Sequence, residues 1–425
     1  MPNAFSKEER VAFENLLEGF QDALVLSRNV AVYNTDQVMM ERTNNIIWRP
    51  QPYISVSYPG TDMTSNFDDY TQLAVPATIG FSRSVPWVMT ATELRDSLQE
   101  GRLGDAAKQK LASDINVAIM NVAALQGTMF VKRAAAASGF DDVAEIEARM
   151  NEEGVSDMDR YLALSTRDYN GMASDLAKAS RSFGNDISDS ALRRAYVGRL
   201  ASFETYKLDY AVRKAAAAGG AGITMDTRTA AGNYWVPKAT STATTGETAN
   251  VDNRYQTITV TTSANVAAGD AFTIANCFAV HHITKQSTGV LKTFRVISVP
   301  AGGTTLVISP PIISNQGGSD AEAQNQNVTF SSTASNASIV FLNTVAGNMN
   351  PFWQKDSLEI LPGRYAVPTD AGAAVMRAAT DQGIELVMTK QYDINTMRTK
   401  YRLDTLYGVV NKQPEMSGIV MFSQT

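Results

Sequence analysis

Two histidines stand side by side at His281 and His282, four residues after the only cysteine of the chain, Cys277. Thiolate and imidazole together are the usual start of a nucleophilic or zinc site, so this is the first place where chemistry could sit. The spacing argues against it. Adjacent residues in a strand point to opposite faces, and the two rings could not hold one ion together. Cys277 has no histidine or basic residue within a few positions before His281, and it reads as a small core residue. Asp157 and Asp159 have the alternation of a calcium loop, but the glycine and the closing glutamate are missing at their offsets. Gly219, Gly220 and Gly222 have neither the third glycine nor the preceding strand of a dinucleotide loop. Tyr234 and Trp235 beside Lys238 could stack on a sugar or base, or serve as core or interface aromatics. No nucleophile elbow, phosphate loop or zinc-protease helix occurs. The chain reads as a non-enzyme with no metal and no cofactor, and its function must be sought in the elements.

The element around which the rest is arranged runs from Thr90 to Arg133. Thr90 precedes Glu93 at the spacing of a capping box. After a break expected around Gly101 to Gly104, Leu111, Ile115, Ile119, Val122, Leu125 and Met129 recur at three- and four-residue steps and form one apolar stripe. Before this spine, residues 1–43 read as an arm. Phe13, Leu16, Leu17, Phe20 and Leu24 give it an apolar stripe, and Glu14 and Glu18 share a face four residues apart. Such an acidic face is either simply solvated or a contact for a basic partner. Residues 44–90 read as a long two-stranded excursion with Leu73 to Val88 as its return, and Asp68 and Asp69 as solvated loop acids. Isolated ribbons are marginal in water, so this one needs a neighbour to lie on.

Beyond the spine, Ala134 to Arg213 is helical by composition, and Ala215 to Gly222 reads as a flexible joint. The composition then changes. From Thr224 to Met349 there are twelve charged residues, and short alternating runs recur at Thr257–Val260, Ala271–Ile274, Lys292–Val299, Leu306–Ile308 and Ile339–Leu342. This is an all-β barrel or sandwich inserted into a mixed fold. After it come strand residues Leu358, Ile360 and Leu361, a helix-like Asp370 to Gln382, and strands in Glu385–Met388, Thr396–Leu403 and Tyr407–Val410 that return to the spine and complete its sheet.

At 425 residues the chain calls for two or three domains. No apolar run reaches the roughly 18 residues of a membrane span, and the first ten residues lack the order of a signal peptide. A net charge of −6 leaves no global basic footprint for nucleic acid, so contact with DNA is expected to be weak or local.

Val251-Asp252-Asn253-Arg254-Tyr255, Gly269-Asp270, Lys285 and Thr293-Phe294 leading into Val296 and Val299 resemble, in type and spacing, the inserted domain of the major capsid proteins of short-tailed double-stranded DNA bacteriophages. Asn45, Ile47-Trp48 and Pro50, and Phe352-Trp353 with Asp356 and Ile360, resemble the flanking positions of that family. The resemblance implies an α+β tailed-phage capsid fold with an inserted β-barrel domain. Its parts would be an N-terminal arm (1–43), an extended β-loop with flanking strands (44–90), the spine helix of a peripheral domain (91–133), an axial domain in two parts (134–223 and 350–389), the insert (224–349) and a return to the peripheral domain (390–425). It further implies hexamers and pentamers of the chain in an icosahedral shell, a scaffolding protein and a portal protein as partners, enclosed double-stranded DNA held by weak non-specific contact, no membrane, and assembly in the bacterial cytoplasm into the virion capsid. Glu14, with Glu18, falls where the family faces the basic end of its scaffolding protein. The loop Thr240 to Asn253 resembles the family's projecting loop, which makes Asp252 and Arg254 candidates for pairing between capsomers, or else a turn and a first strand residue within one subunit. The competing reading from the residues is a surface adhesin or tail protein whose threonine-rich insert binds a glycan.

Overall fold

The structure is a computed structural model that describes residues 7–34, 46–51, 60–64, 67, 70–90, 92–93, 97–179, 197–208, 210–219, 222–225, 233–330, 336–366 and 372–424. The chain divides into two compact units, one of residues 1–47, 76–119 and 358–410 and the other of 48–75, 120–357 and 411–425.

The first unit is built on a sheet in the order Ala31–Val32, Leu358–Pro362, Arg398–Asn411, Glu385–Asp393, Ala374–Ala379, with Phe81–Thr90 also paired to Arg398–Asn411. Arg398–Asn411 is central because Thr399, Tyr401 and Leu403 alternate inward. Across one ladder Trp87 stacks on Tyr401 and Phe81 on Tyr407, both with ring centroids 5.5 Å apart. Two helices belong to this unit. The arm helix Lys7–Ala23 buries Phe13, Leu16 and Phe20, with Leu24 just beyond its end. The long helix Ser97–Gln126 buries Leu111, Ile115 and Ile119 here and continues into the second unit, where Val122 is buried and Leu125 is exposed.

Two expectations about this helix are corrected. No break occurs at Gly101 to Gly104, because Gly104 is a place of close approach: a Cβ there would lie 3.2 Å from Leu16 Cδ1 of the arm helix. The helix also stops at Gln126 rather than running on to Arg133, since Gly127 sits where a Cβ would be 2.9 Å from both the Ala123 carbonyl oxygen and the Gly418 nitrogen. Met129–Lys132 is a strand, paired in parallel with Ser417–Met421. The Thr90/Glu93 box does form, with Thr90 N–H donating to Glu93 Oε2 at 2.8 Å and Glu93 N–H to Thr90 Oγ1 at 3.4 Å.

The second unit has two β structures. One is a sheet in the order Met129–Lys132, Ser417–Met421, Asn350–Gln354, Arg160–Ser165, Phe203–Leu208, Arg199–Leu200. Helices Phe140–Glu152 and Thr166–Ala179 bury Val143, Ile146, Met150, Tyr169 and Met172 against its Leu162, Leu164, Phe203 and Phe352. The segment 134–213, expected to be helical, is therefore mixed, and residues 411–425 strengthen this sheet rather than the one of the first unit. Asp370 to Gln382 is likewise corrected: Ala374–Ala379 is a strand paired with Glu385–Lys390. The expected joint is in part a packing point, because a Cβ on Gly219 would strike the ring of Phe341 at 2.5 Å.

The other β structure is the insert. Its strands run in the order Thr224–Met225, Ala337–Phe341, Ala271–Val280, Ser287–Ser298, Thr305–Ser309, Gln256–Thr259. A bridge from Met225 to Val260 joins the first strand to the end of the last and closes the barrel. Val328–Phe330 adds to Ala271–Val280. Inside lie Ile258, Phe272, Ile274, Phe294, Val296 and Ile308, in the period-two alternation of their strands, with Cys277 buried among them.

Candidate assembly surfaces and the seat of the insert

The arm helix presents two of its acids outward. Glu14 and Glu18 are exposed on one face while the stripe at positions 13, 16 and 20 is buried. Nearer its start, Glu9 pairs with Lys390 of the same unit, which anchors the helix at that end. Asp68 and Asp69 lie outside the described residues.

The loop at 240–253 is a short hairpin, Thr240–Thr242 against Thr248–Asn250, and every residue from 238 to 250 except the turn's backbone pairing is given to solvent. Ala243 N–H donates to the Glu247 carbonyl at 2.8 Å, and Gly246, with φ of 89°, supplies the left-handed turn residue. Glu247 at its tip is the hairpin's one charge. The base is fixed by Asn253, whose Oδ1 accepts from Trp235 Nε1 at 3.0 Å and whose Nδ2 donates to the Lys238 carbonyl at 2.8 Å. Trp235 is thereby a structural strut rather than an open stacking platform.

Asp252 and Arg254 meet each other instead of standing apart as two free charges. Arg254 donates from Nη2 to Asp252 Oδ2 at 2.7 Å and from Nε to Asp252 Oδ1 at 2.9 Å. Its Nη1 donates to the Asn411 carbonyl at 2.9 Å, and its guanidinium lies over the Tyr255 ring, 5.0 Å from the centroid. A bidentate pair two residues apart closes locally because Asp252 also accepts the Arg254 backbone N–H. With Arg254 buried, the cation that was a candidate for reaching another capsomer is held inside its own subunit.

The strand Ser287–Ser298 seats the insert on the neighbouring sheet domain of the same unit. Phe294 and Val296 point into the barrel, while Thr293 and Arg295 point out of it. Thr293 Oγ1 donates to the Thr128 carbonyl at 3.0 Å, and Arg295 Nη2 donates to the Ala124 carbonyl at 3.0 Å, capping the C-terminal end of the long helix where carbonyls have no helical partner. Burial pushes Arg295 down to about 10, with Asp270 pulling the other way. Lys292 is fully buried between two carboxylates, 2.6 Å from Glu153 Oε2 and 2.8 Å from Glu415 Oε1. Burial alone would depress its pKa, but the two acids outweigh burial and raise it. Glu415 is held below the usual carboxylate range by the same pairing, against the effect of burial.

Glu153, Lys292 and Glu415 did not stand out in the sequence as a group, because they come from distant segments. The available signal was a lysine and an arginine inside a predicted strand of a domain otherwise poor in charge. His281 and His282 sit in the turn after Ala271–Val280, where His281 Nδ1 accepts the N–H groups of Ile283 and Thr284, each at 3.2 Å. Among the described residues no three histidine, cysteine or acidic side chains are grouped to hold a metal, and no helix is long and apolar enough to cross a membrane.

The family model described as P22 coat protein, gene protein 5, matches residues 1–423. Among solved structures, the capsid of cyanophage P-SCSP1u aligns over 93% of this chain and 87% of its own at 10% identity, with a TM-score of 0.44. The mature capsid of bacteriophage PhiM1 aligns over 93% and 85% at 11% identity, with a TM-score of 0.41. The CUS-3 coat protein I-domain aligns over 29% of this chain and 98% of its own at 35% identity, with a TM-score of 0.21. With a family model that spans all but the last two residues, the chain belongs to the P22 coat protein family.

Proposed function

We propose that copies of this chain, a structural coat protein by family, assemble around a scaffolding protein into an icosahedral shell of hexamers and pentamers with a portal protein at one vertex. Assembly takes place in the bacterial cytoplasm, and the finished shell encloses double-stranded DNA that it holds weakly. The observation that carries this reading is the family match over residues 1–423. Two features of the subunit support it. The hairpin at 240–250 is exposed along its whole length and adds nothing to a core, and Glu14 and Glu18 form an acidic patch on a helix whose other face is packed. The hairpin reaches toward an adjacent capsomer, with the Asp252–Arg254 pair bracing its base. The acidic patch receives the basic end of the scaffolding protein. A net charge of −6 suits a container that must release its contents, since a basic lining would hold DNA by counterion release.

The test is electron microscopy of the full chain expressed with and without a small scaffolding protein that has a basic tail. Uniform closed shells that depend on the scaffold are expected, and a monodisperse small oligomer under both conditions overturns the reading. Glu14→Ala with Glu18→Ala is expected to leave the unfolding midpoint unchanged and to reduce scaffold co-sedimentation. Undiminished co-sedimentation removes these two residues from the contact.

A further inference from the structure

Where the insert rests on its neighbouring domain, charged and titratable side chains from four segments converge. Lys292 lies between Glu153 and Glu415; Arg149 Nε is 3.3 Å from Glu153 Oε1; and Asn327 Nδ2 donates to Glu415 Oε1 at 3.0 Å. The two cations and two anions cancel. Facing this neutral set is His282, whose Nε2 is 3.9 Å from Glu415 Oε2, buried, and without a hydrogen-bond partner. The backbone N–H of His282 donates to the Glu153 carbonyl at 3.1 Å, so the ring is fixed against the cluster. A cavity of about 90 Å³ reaches both His282 and Glu415 and has Lys285 and Arg254 on its wall. It has room for several waters, which gives a proton a route in. Lys285 Nζ is turned to the Gln326 carbonyl at 3.3 Å, yet its charge still disfavours a proton on the ring, while Arg254 is closed on Asp252.

We propose that His282 is a proton-operated release for the seat of the insert. A proton taken from solvent onto Nε2 adds one positive charge to a buried set that is otherwise balanced. Glu415 is then drawn toward the imidazolium, and its hold on Lys292 weakens. The insert loosens on its neighbour while both cores stay folded.

The sign follows from linkage. Burial holds the seated His282 below its ordinary value, with Glu415 opposing and Lys292 adding to the depression. The released ring titrates near about 6.5. Below that pH the released form binds a proton that the seated form does not, so the seat weakens as pH falls until the lower, seated value is reached. Within that window each pH unit changes the release equilibrium about tenfold. This inference does not rest on the shell reading, since it concerns contacts within one chain.

Hydrogen exchange by mass spectrometry on the unassembled full chain tests it, at about pH 7.5 and about pH 5.5 with labelling times corrected for intrinsic exchange. On acidification, exchange is expected to rise by up to about tenfold at 281–293, 149–155 and 413–416, while the barrel interior at 271–274 stays protected. His282→Gln is expected to remove that rise. Lys292→Met is expected to produce it already at the higher pH. An unchanged wild type, a rise spread evenly over the chain, or a His282→Gln variant that responds as the wild type does would each overturn the proposal. Should Lys292→Met fail to fold, the comparison of wild type with His282→Gln decides alone.

Discussion

Lys292 and Arg295 are both cations buried on one strand, yet their removal should have different consequences. Lys292 is matched by two carboxylates at 2.6 and 2.8 Å. Lys292→Met would leave Glu153 and Glu415 buried and facing each other, and breaking a buried pair from one side costs about 3–5 kcal/mol. The triple variant with Glu153→Gln and Glu415→Gln should recover most of that loss, because a neutral set of similar volume needs no counter-ion. Arg295 is less well served: its Nε and Nη1 have no hydrogen-bond partners, and burial has pushed it to about 10. That displacement corresponds to on the order of 3 kcal/mol against the charged form. Losing the bond to the Ala124 carbonyl forfeits about 1–3 kcal/mol. The two nearly cancel, so Arg295→Met should change stability by less than about 2 kcal/mol in either direction. Urea midpoints of the three variants check this, and a cheap Lys292→Met beside a costly Arg295→Met would show the assignment to be reversed. At this scale little was legible beforehand, since Glu153, Lys292 and Glu415 are brought together only by the fold, and the sequence marks nothing but charge inside a strand.

The same substitution should have opposite signs at Gly104 inside the long helix and at Gly127 just past its end. At Gly104 alanine gains about 1 kcal/mol of helix propensity, and its Cβ meets only the end of the Leu16 side chain, which can turn away. Gly104→Ala should be neutral or stabilising. At Gly127 the added carbon meets two backbone atoms at 2.9 Å that cannot move without shifting the last turn of the long helix or the strand Ser417–Met421. Gly127→Ala should cost about 1–3 kcal/mol or more. Thermal melts of the pair distinguish them, and equal midpoints would mean that close approach is not why these glycines are present. The sequence reading placed a helix break at the first glycine and none at the second because it weighs glycine by entropy alone. It carried the helix on to Arg133 because Met129 keeps a four-residue step, although Met129, Phe130 and Val131 form a strand buried between layers. The run Leu162 to Leu164 failed for a related reason: a strand buried on both faces has no alternation and resembles a helix in composition. The alanines of Ala374–Ala379 favour a helix, and pairing with Glu385–Lys390 overrides them. The insert was legible because the faces of its strands that line the barrel are apolar while the outer faces carry polar residues, so Ile258, Ile274, Val296 and Ile308 fall in period-two runs.

For the whole molecule, the hairpin at 240–250 separates what the subunit needs from what an assembly needs. A two-stranded hairpin is marginal in water by itself, and this one has no buried residue to repay its ordering. Its legs already meet at the base, where Val251 N–H donates to the Ala239 carbonyl at 3.2 Å. Replacing residues 240–250 by Asn-Gly therefore closes the chain with a turn that suits the strand twist. Loop entropy changes slowly with length, by about 0.6 kcal/mol per doubling, so shortening should not harm the subunit. The Asn253 hydrogen bonds to Trp235 and Lys238 and the Asp252–Arg254 pair lie outside the excised segment and should hold the barrel as before. The unfolding midpoint of the excised chain should stay within roughly 0.5 kcal/mol of the parent. If the hairpin joins capsomers, the same chain, supplied with its scaffold, should yield fewer shells, irregular shells or open sheets by sedimentation and microscopy. Parent-like shells in parent-like yield would show that the hairpin does not hold capsomers together. A subunit that unfolds early would instead place its role inside the chain, contrary to its exposure.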